Sequence, residues 1–280
     1  GDPLADVHLQ GLAPVGVPRG LAGTNLIFHY NNIEEFKALI EENRGEIAAV
    51  VMEPIRNDYP ENGFLNEIRR ITKEENIVLV FDEITAGFRL CAGGSHKVLG
   101  VEPDMAIFAK AMTNGYPVSA VIGREEVMQS AQETFISSTF WTERIALAAT
   151  LKSIECYEKY HVDAHQKYVG TKVKEIWEET ANKNGIKIHI FGILPLIHFA
   201  FEYEDGLALK TYFTQEMLKE GFLAANGVYA SYAHNDEVLE KYKKACDVVF
   251  GKIAGIFAAG KDIRDSLNGP VCHSGFERLN

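Results

Sequence analysis

The sequence predicts an α/β domain built on a parallel-rich sheet, followed by a smaller α+β domain. Two continuous apolar runs lie at residues 47–52 and 77–81, with an amphipathic helical pattern between them. Strand, helix and strand at this spacing form a βαβ unit with parallel pairing, and continuous apolar runs are typical of strands buried on both faces. Long helical patterns dominate after Thr142. We therefore divide the chain into domains at residues 1–155 and 156–280.

The first domain begins with an irregular segment at residues 1–25. Because Gly1 is no initiator, we expect the chain to be processed or to be part of a longer one. Apolar residues recur on one helical face in two segments, whereas the strand segments are short apolar runs that end in polar or turn-forming residues. The predicted order is helix, strand, helix and three strands, at residues 33–43, 47–54, 63–76, 77–81, 105–110 and 118–123.

The second domain begins within a long amphipathic helix at residues 143–160. A second helical pattern stops at Gly185, because glycine commonly follows the last residue of a helix. Two strands with alternating apolar residues come next, broken around residues 192–195, and two more helices complete the domain. These later elements lie at residues 169–185, 186–202, 207–220 and 236–259.

Composition and charge exclude several classes of protein. The 280 residues carry a formal net charge of -11, which argues against a nucleic acid or an anionic membrane as the main partner. No apolar segment reaches the roughly 20 residues that span a bilayer. The four cysteines have no C-x-x-C spacing and are too few for a disulfide scaffold, so we expect a protein of the reducing cytoplasm.

A nucleotide hydrolase is one alternative that the motifs raise. The run before Asp82 and Glu83 resembles a Walker B strand, which would need a P-loop elsewhere in the chain. Residues 255–262, GIFAAGKD, nearly match a P-loop. However, Asp262 replaces the hydroxyl that would bind Mg²⁺, and the segment ends a predicted helix instead of following a strand. We therefore reject this alternative.

A zinc site is the other alternative. His161 and His165 have a spacing that could bind zinc from one helix face, but Val162 stands where zincins have Glu. A third ligand is not apparent. We interpret the pair as exposed helix histidines and predict no metal.

The strongest chemical signal is a lysine and an aspartate at the ends of neighbouring predicted strands. Asp82 follows one apolar run, and Lys110 ends the next, with small residues after it. A desolvated lysine can form a Schiff base with an aldehyde. Pyridoxal phosphate (PLP) needs such a lysine, and also a carboxylate that keeps its pyridine nitrogen protonated. Lys110 and Asp82 are the minimum set for this cofactor.

Three motifs resemble those of one family in order and spacing. FDEITAGFR, GVEPDMAIFAKAMTNGYPVSAVIG and SSTFWTERIALAA resemble the class III, fold type I, PLP-dependent aminotransferases, especially the branch with glutamate-semialdehyde aminomutase. AAVVMEP with GFLNEIRRIT, and GVYASYAHNDEVLEKYKKA, resemble the flanking segments. The resemblance covers roughly residues 15–260. It implies an aminotransferase of fold type I that uses pyridoxal 5′-phosphate and works as a homodimer with shared active sites.

The resemblance also assigns roles to individual residues. Lys110 would hold the cofactor as an aldimine and move protons as base and acid, and Asp82 would pair with the pyridinium nitrogen. Ile84 would pack on one ring face, and Thr139 would contact the phosphate bound by the neighbouring subunit. The remaining cofactor-binding residues would be Glu53 and Asn57.

Structural roles compete for two of these residues. Glu53 could be a plain loop carboxylate. Thr139 could cap the helix that follows it, with Trp141 packed into its own domain.

The chain departs from the family in ways that leave its activity open. Some 150 or more upstream residues, which supply a phosphate-binding turn and a ring-stacking aromatic, have no counterpart, so we expect an N-terminal segment to be missing. FAKAMTNGYP and SSTFWTE also differ from the usual family motifs. Besides an aminotransferase, the sequence therefore allows a glutamate-semialdehyde-type aminomutase, or a non-catalytic partner subunit or fragment. The amino donor and acceptor are small molecules that the sequence does not identify.

Overall fold

The computed structural model describes residues 13–273. The part of the irregular opening predicted at residues 1–12 lies outside this range. Residues 13–25 contain a short 3₁₀ turn at Arg19–Leu21 and no strand. No helix within the described range is long and apolar enough to cross a membrane.

The first sheet has four strands in sequential order. They are β1 (Ala49–Met52), β2 (Val78–Asp82), β3 (Met105–Phe108) and β4 (Ala120–Gly123). β1, β2 and β3 are parallel, and the pairing of β1 with β2 was predicted from the strand–helix–strand spacing. β4 is antiparallel to β3, because the connection between them is too short for a crossover.

Two amphipathic helices cover this sheet, α1 (Ile33–Glu42) and α2 (Phe64–Glu74). The Asn32 side chain caps α1 by accepting a hydrogen bond from Glu35 N. Both helices point their apolar stripes at the strands, and Phe36, Ile68 and Phe81 are each at most 2% exposed. Both helices therefore begin and end within two residues of the bounds predicted from the apolar periodicity. Two four-residue helices, α3 (His96–Leu99) and α4 (Glu125–Met128), were not predicted.

A buried ion pair fixes the strands at the end opposite the site. Asp104, which is 2% exposed, accepts two hydrogen bonds of 2.9 Å from the Arg69 guanidinium and one of 2.8 Å from Leu79 N. The start of β3 is thereby tied to both α2 and β2. Breaking a buried pair of this kind is strongly destabilising, because it leaves an uncompensated charge.

The second sheet is antiparallel, with strands β5 (Ile188–Phe191), β6 (Leu196–Phe201) and β7 (Gly227–Tyr229). β7 was not predicted. The helices of this half are α5 (Arg144–Lys159), α6 (Val162–Lys183), α7 (Gly206–Lys219) and α8 (Asp236–Ala258). α6 begins seven residues earlier than predicted. As expected, the P-loop-like segment lies at the end of α8.

The two halves have separate apolar cores. In the second core, Trp177 of α6 donates a hydrogen bond of 2.9 Å to the Tyr242 hydroxyl of α8. Tyr157 near the end of α5 still packs on the first half, whereas the second core begins with Val169. The division at residue 155 remains our proposal.

A small junction core joins the halves beneath the edge of the first sheet. Ile55 and Ala86, from the loops after β1 and β2, pack against Ile193 and Leu196 of the β5–β6 turn. Gly170 lets α6 approach this turn, because a Cβ there would lie 2.0 Å from the carbonyl oxygen of Leu194. The loops that carry the candidate site therefore rest on both halves.

Candidate active site

The carboxyl ends of three neighbouring strands meet at one edge of the first sheet. Met52 of β1 is in register with Phe81, and Asp82 of β2 is in register with Ile107 of β3. Glu53 thus follows β1 opposite Asp82, and Lys110 lies three residues past Ile107. Adjacent strands are about 4.8 Å apart, so this edge brings Glu53, Asp82 and Lys110 into one region. It is also the edge at which open α/β sheets bind ligands.

Asp82 is half-buried and free of protein cations. One carboxylate oxygen, Oδ1, accepts a hydrogen bond of 2.9 Å from Ile84 N. Within residues 13–273 it forms no ion pair with a lysine, arginine or histidine. The carboxylate is therefore held in place and remains available to a cationic group of a ligand.

Glu83 has a different environment although it is the next residue. It is 1% exposed, and its carboxylate accepts hydrogen bonds from Ser95 N at 2.9 Å, His96 N at 2.9 Å and the Ser95 hydroxyl at 2.8 Å. Burial raises the pKa of Glu83, but the hydrogen bonds from His96 and Ser95 outweigh it, and the pKa is lowered. Glu83 thus anchors the loop before α3 and has no access to a ligand.

Lys110 does not end β3. The strand stops at Phe108, and Lys110 opens a 3₁₀ turn with φ of +46°, in the left-handed region. Its side chain is exposed, whereas the sequence analysis expected a desolvated lysine. Its Nζ donates a hydrogen bond of 2.8 Å to Thr85 Oγ1. A cleft of about 450 Å³ lies beside it, lined by Ala109, Lys110, Gly115, Tyr116, Pro117, Val118 and Ser119.

Glu53 and Asn57 line a second cleft, of about 490 Å³, and neither lines the Lys110 cleft. Glu53 forms a weak ion pair with Arg56, with 3.3 Å between Oε1 and NH1. The carbonyl oxygen of Asn57 accepts a hydrogen bond of 2.9 Å from Gly192 N. The loop is therefore fixed to the β5–β6 turn, and the cofactor roles of both residues remain predictions.

Ile84 is half-buried two residues after Asp82, whereas Thr139 is exposed in the segment before α5. Within the described chain no hydrogen bond joins Thr139 to Lys110 or Asp82. The alternative in which Thr139 caps the helix is wrong, because the Glu143 side chain caps α5 by accepting from Ile145 N and Ala146 N. Trp141 is 54% exposed, so it is not packed into its own domain either.

Two residues near Lys110 were missed by the sequence analysis. Thr85 is 3% exposed and binds the Lys110 amine. The half-buried Arg89 donates to the Thr85 carbonyl oxygen at 3.3 Å and lies over the Tyr229 ring at 5.4 Å. Both belong to the quoted motif FDEITAGFR, but nothing in the spacing distinguishes them from loop residues.

The two histidines of the pair have different surroundings. His161 precedes α6 and is exposed, as predicted. His165 is half-buried, and its Nε2 lies 3.0 Å from the His234 carbonyl oxygen. No cluster of three or more potential metal ligands occurs within residues 13–273.

The groups at the sheet edge fit the cofactor that the sequence suggests. PLP requires a primary amine for its aldehyde and an anion for its ring nitrogen. Lys110 offers an amine bonded only to a neutral hydroxyl, beside a cleft. Asp82, on the adjacent strand, offers a carboxylate that no protein cation neutralises. The donor set is therefore chemically complete for these two contacts.

Comparison with known sequences identifies related proteins. Residues 19–236 match the family described as aminotransferase class-III. The chain is 34% identical over 241 residues to 3-aminobutyryl-CoA aminotransferase of Cloacimonas acidaminovorans, covering 80% of this chain and 57% of that protein. It is 29% identical to glutamate-1-semialdehyde 2,1-aminomutase of Methanococcus maripaludis, covering 85% and 60%. The chain thus spans less than two thirds of the length of these relatives.

Solved structures show the same fold. The FumI protein of Sphingopyxis sp. MTA144, in its PLP internal aldimine form, superposes with a TM-score of 0.79 at 23% identity, covering 84% of this chain and 58% of that one. An omega-transaminase from Sphaerobacter thermophilus gives a TM-score of 0.75 at 24% identity, covering 86% and 60%. The architecture of this chain is therefore the fold type I architecture predicted from the sequence.

Proposed function

The chain belongs to the class III aminotransferase family, and on that premise we propose that the protein is a PLP-dependent aminotransferase. It would move an amino group between an amino donor and a carbonyl substrate. The observation that supports this best is that Lys110 and Asp82 are bound by different groups and not by each other. Asp82 ends β2 and Lys110 lies two residues past the end of the adjacent β3, yet each has its own neutral partner, Thr85 Oγ1 for the amine and Ile84 N for the carboxylate.

Lys110 and Asp82 would divide the chemistry between them. When bound, the cofactor supplies an aldehyde and an electron-accepting ring. Lys110 Nζ would bind the aldehyde carbon and, once released, move a proton between the substrate α-carbon and the cofactor as base and acid. Asp82 would hold the proton on the ring nitrogen, since an opposite charge nearby favours the charged form. Ile84 would pack on one ring face, and Glu53 and Asn57 would contact the cofactor from the second cleft.

We further propose that the active protein is a homodimer with shared sites. Exposed apolar side chains are concentrated between residues 121 and 151, and the most exposed are Phe135 at 96%, Phe140 at 79%, Leu151 at 72% and Ile145 at 69%. A helix that is apolar on most of its surface is ordinarily buried. Such a patch marks an interaction site, and a two-fold copy would cover it on both chains. Thr139 lies within it, which supports a role in the neighbouring site.

We also propose that the protein works in the cytoplasm. Cys91, Cys156, Cys246 and Cys272 are all free thiols. This supports a protein of the reducing cytoplasm.

An aminomutase is the second candidate, favoured by the 29% identity to glutamate-1-semialdehyde 2,1-aminomutase. Such an enzyme keeps amine and carbonyl on one substrate, whereas an aminotransferase needs two substrates. The test supplies the full natural chain and PLP with glutamate-1-semialdehyde alone, or with pyruvate plus glutamate, 4-aminobutyrate or 3-aminobutyryl-CoA. Turnover that requires a separate donor supports the aminotransferase. Turnover with glutamate-1-semialdehyde alone supports the aminomutase, and no reaction with any of these contradicts both.

A further inference from the structure

The free amine of Lys110 is bound by a neutral oxygen, although a carboxylate lies on the adjacent strand end. Lys110 Nζ is 2.8 Å from Thr85 Oγ1, and Thr85 is only three residues past Asp82. No ion pair joins Lys110 to Asp82 in the described chain. The amine is therefore held by a neutral hydroxyl and not by the carboxylate.

An ion pair between these two residues would interfere with both proposed roles. It would stabilise the ammonium form of Lys110, which neither attacks an aldehyde nor accepts a proton. It would also neutralise Asp82, whose charge is needed for the ring nitrogen. A neutral acceptor holds the amine close to the site without either effect.

The loop after β2 holds Thr85 rigidly. Gly87 N donates a hydrogen bond of 2.8 Å to the Glu83 carbonyl oxygen, and the Thr85 carbonyl oxygen accepts from Arg89 Nε. A Cβ on Gly87 would lie 2.6 Å from the Glu83 carbonyl oxygen and 2.9 Å from the Phe108 ring, so glycine is needed for this close packing on β3. The hydroxyl therefore has a fixed position relative to the strand that leads to Lys110.

The backbone conformation of Lys110 also helps to position its side chain. A non-glycine residue in the left-handed region is strained and persists only where its surroundings enforce it. At Lys110, the carbonyl oxygen accepts from Thr113 N and Asn114 N, both at 3.3 Å. The start of the side chain is thus set by the turn, and its end by Thr85.

We propose that Thr85 is a positioning residue of the aminotransferase proposed above. Its hydroxyl holds the free Lys110 amine on a neutral oxygen and prevents an ion pair with Asp82. Asp82 is thereby kept for the cofactor ring and Lys110 for the aldehyde and for proton transfer. This inference rests on the proposed function. The contact between Thr85 and the Lys110 amine, however, can be tested without cofactor.

The test measures the reactivity of the Lys110 amine in the cofactor-free full natural chain. Trace acetylation at a fixed pH is followed by peptide mass spectrometry, with the exposed Lys187 as internal reference. Thr85→Val keeps the shape of the side chain and removes the hydroxyl, so the amine should turn to Asp82. Labelling of Lys110 should then slow roughly threefold to tenfold relative to Lys187, the effect of one added opposite charge at an exposed site.

Four further variants make the result specific. Thr85→Ser keeps the hydroxyl and should label within about twofold of the unmodified protein. The double variant Thr85→Val with Asp82→Asn should label as fast as Asp82→Asn alone, because no carboxylate remains to capture the amine. Thr171→Val, a surface change on α6, controls for threonine replacement in general. If Thr85→Val does not fold by circular dichroism, Thr85→Ala is measured in its place.

The outcomes separate this inference from the proposed function. Unchanged or faster labelling of Lys110 in Thr85→Val, or no recovery in the double variant, would overturn the role of Thr85. The proposed function fails by a different measurement, namely if borohydride traps no PLP on Lys110 of the unmodified protein. Slower labelling with recovery supports the hold of Thr85 on the Lys110 amine, and trapping of PLP on Lys110 supports the proposed function.

Discussion

Asp82 and Glu83 are consecutive residues whose carboxylates have opposite surroundings. Asp82 is half-buried and accepts one backbone N–H from Ile84, whereas Glu83 is 1% exposed and accepts from Ser95 and His96. Successive side chains at the end of a strand point to opposite faces of the sheet. One face carries the candidate site, and the other carries the anchor of the loop before α3.

Lys110 should carry the cofactor covalently. We expect the full natural chain with PLP to show visible absorbance, and borohydride reduction to leave the cofactor on the peptide that contains Lys110. Lys110→Ala should lose both the absorbance and turnover, because no other amine lines the cleft among the described residues. Labelling of another lysine, or normal turnover by Lys110→Ala, would show that the assignment is wrong.

Asp82→Asn should impair the chemistry more than the binding. The substitution keeps the size of the side chain but removes the charge that stabilises a protonated ring nitrogen. We expect kcat to fall roughly 10²- to 10⁴-fold, with a modest loss of cofactor affinity. Steady-state kinetics and PLP titration measure the two effects. Asp265→Asn, at an exposed position, serves as the control and should change neither; near-normal turnover by Asp82→Asn would refute the role.

Glu83→Gln should destabilise the fold. The glutamine amide would point N–H groups at the donors of Ser95 and His96, and we expect a loss of about 2–4 kcal/mol in the free energy of unfolding by urea. The exposed Glu102→Gln should change it by less than about 0.5 kcal/mol. Equal effects of the two substitutions would contradict the anchoring role.

The same carboxylate should make stability depend on pH. The pKa of Glu83 is lower in the folded chain than its ordinary value of 4.5. Its contribution to stability is therefore fully present above pH 4.5 and is lost as the pH falls through the folded pKa. Urea unfolding between pH 6 and pH 3 should show a steeper fall for the unmodified protein than for Glu83→Gln. Parallel curves would contradict this.

Shared sites can be tested by mixing two inactive variants. If Thr139 acts in the neighbouring site, a mixed dimer of Lys110→Ala and Thr139→Ala chains has one site with both changes and one with neither. About half of the activity of an unmodified dimer should therefore return. Exchange of chains is confirmed by native mass spectrometry. If activity stays at the level of the separate variants despite exchange, Thr139 acts within its own subunit.

The sequence by itself determined the elements that depend on local pattern. α1 and α2 follow from apolar residues at helical spacing, and the parallel pairing of β1 with β2 follows from the length of the segment between them. The choice of Asp82 and Lys110 came from chemistry, because an apolar run that ends in a charged residue is unusual whatever the fold. α3 and α4, with four residues each, are too short to show a period and were missed.

Only the tertiary structure decided what the neighbouring groups do. Glu83 is an anchor and not a catalyst because residues 95–96 fold back onto it, and this contact has no signal in the residues around Glu83. Thr85 binds the Lys110 amine across 25 positions of sequence, and the left-handed turn at Lys110 replaces the strand end that the apolar run predicted. Local patterns determine which segments form helices and strands and which of their faces are apolar. The contacts between polar groups depend on segments that are distant in sequence. Those segments come together only when the cores have packed.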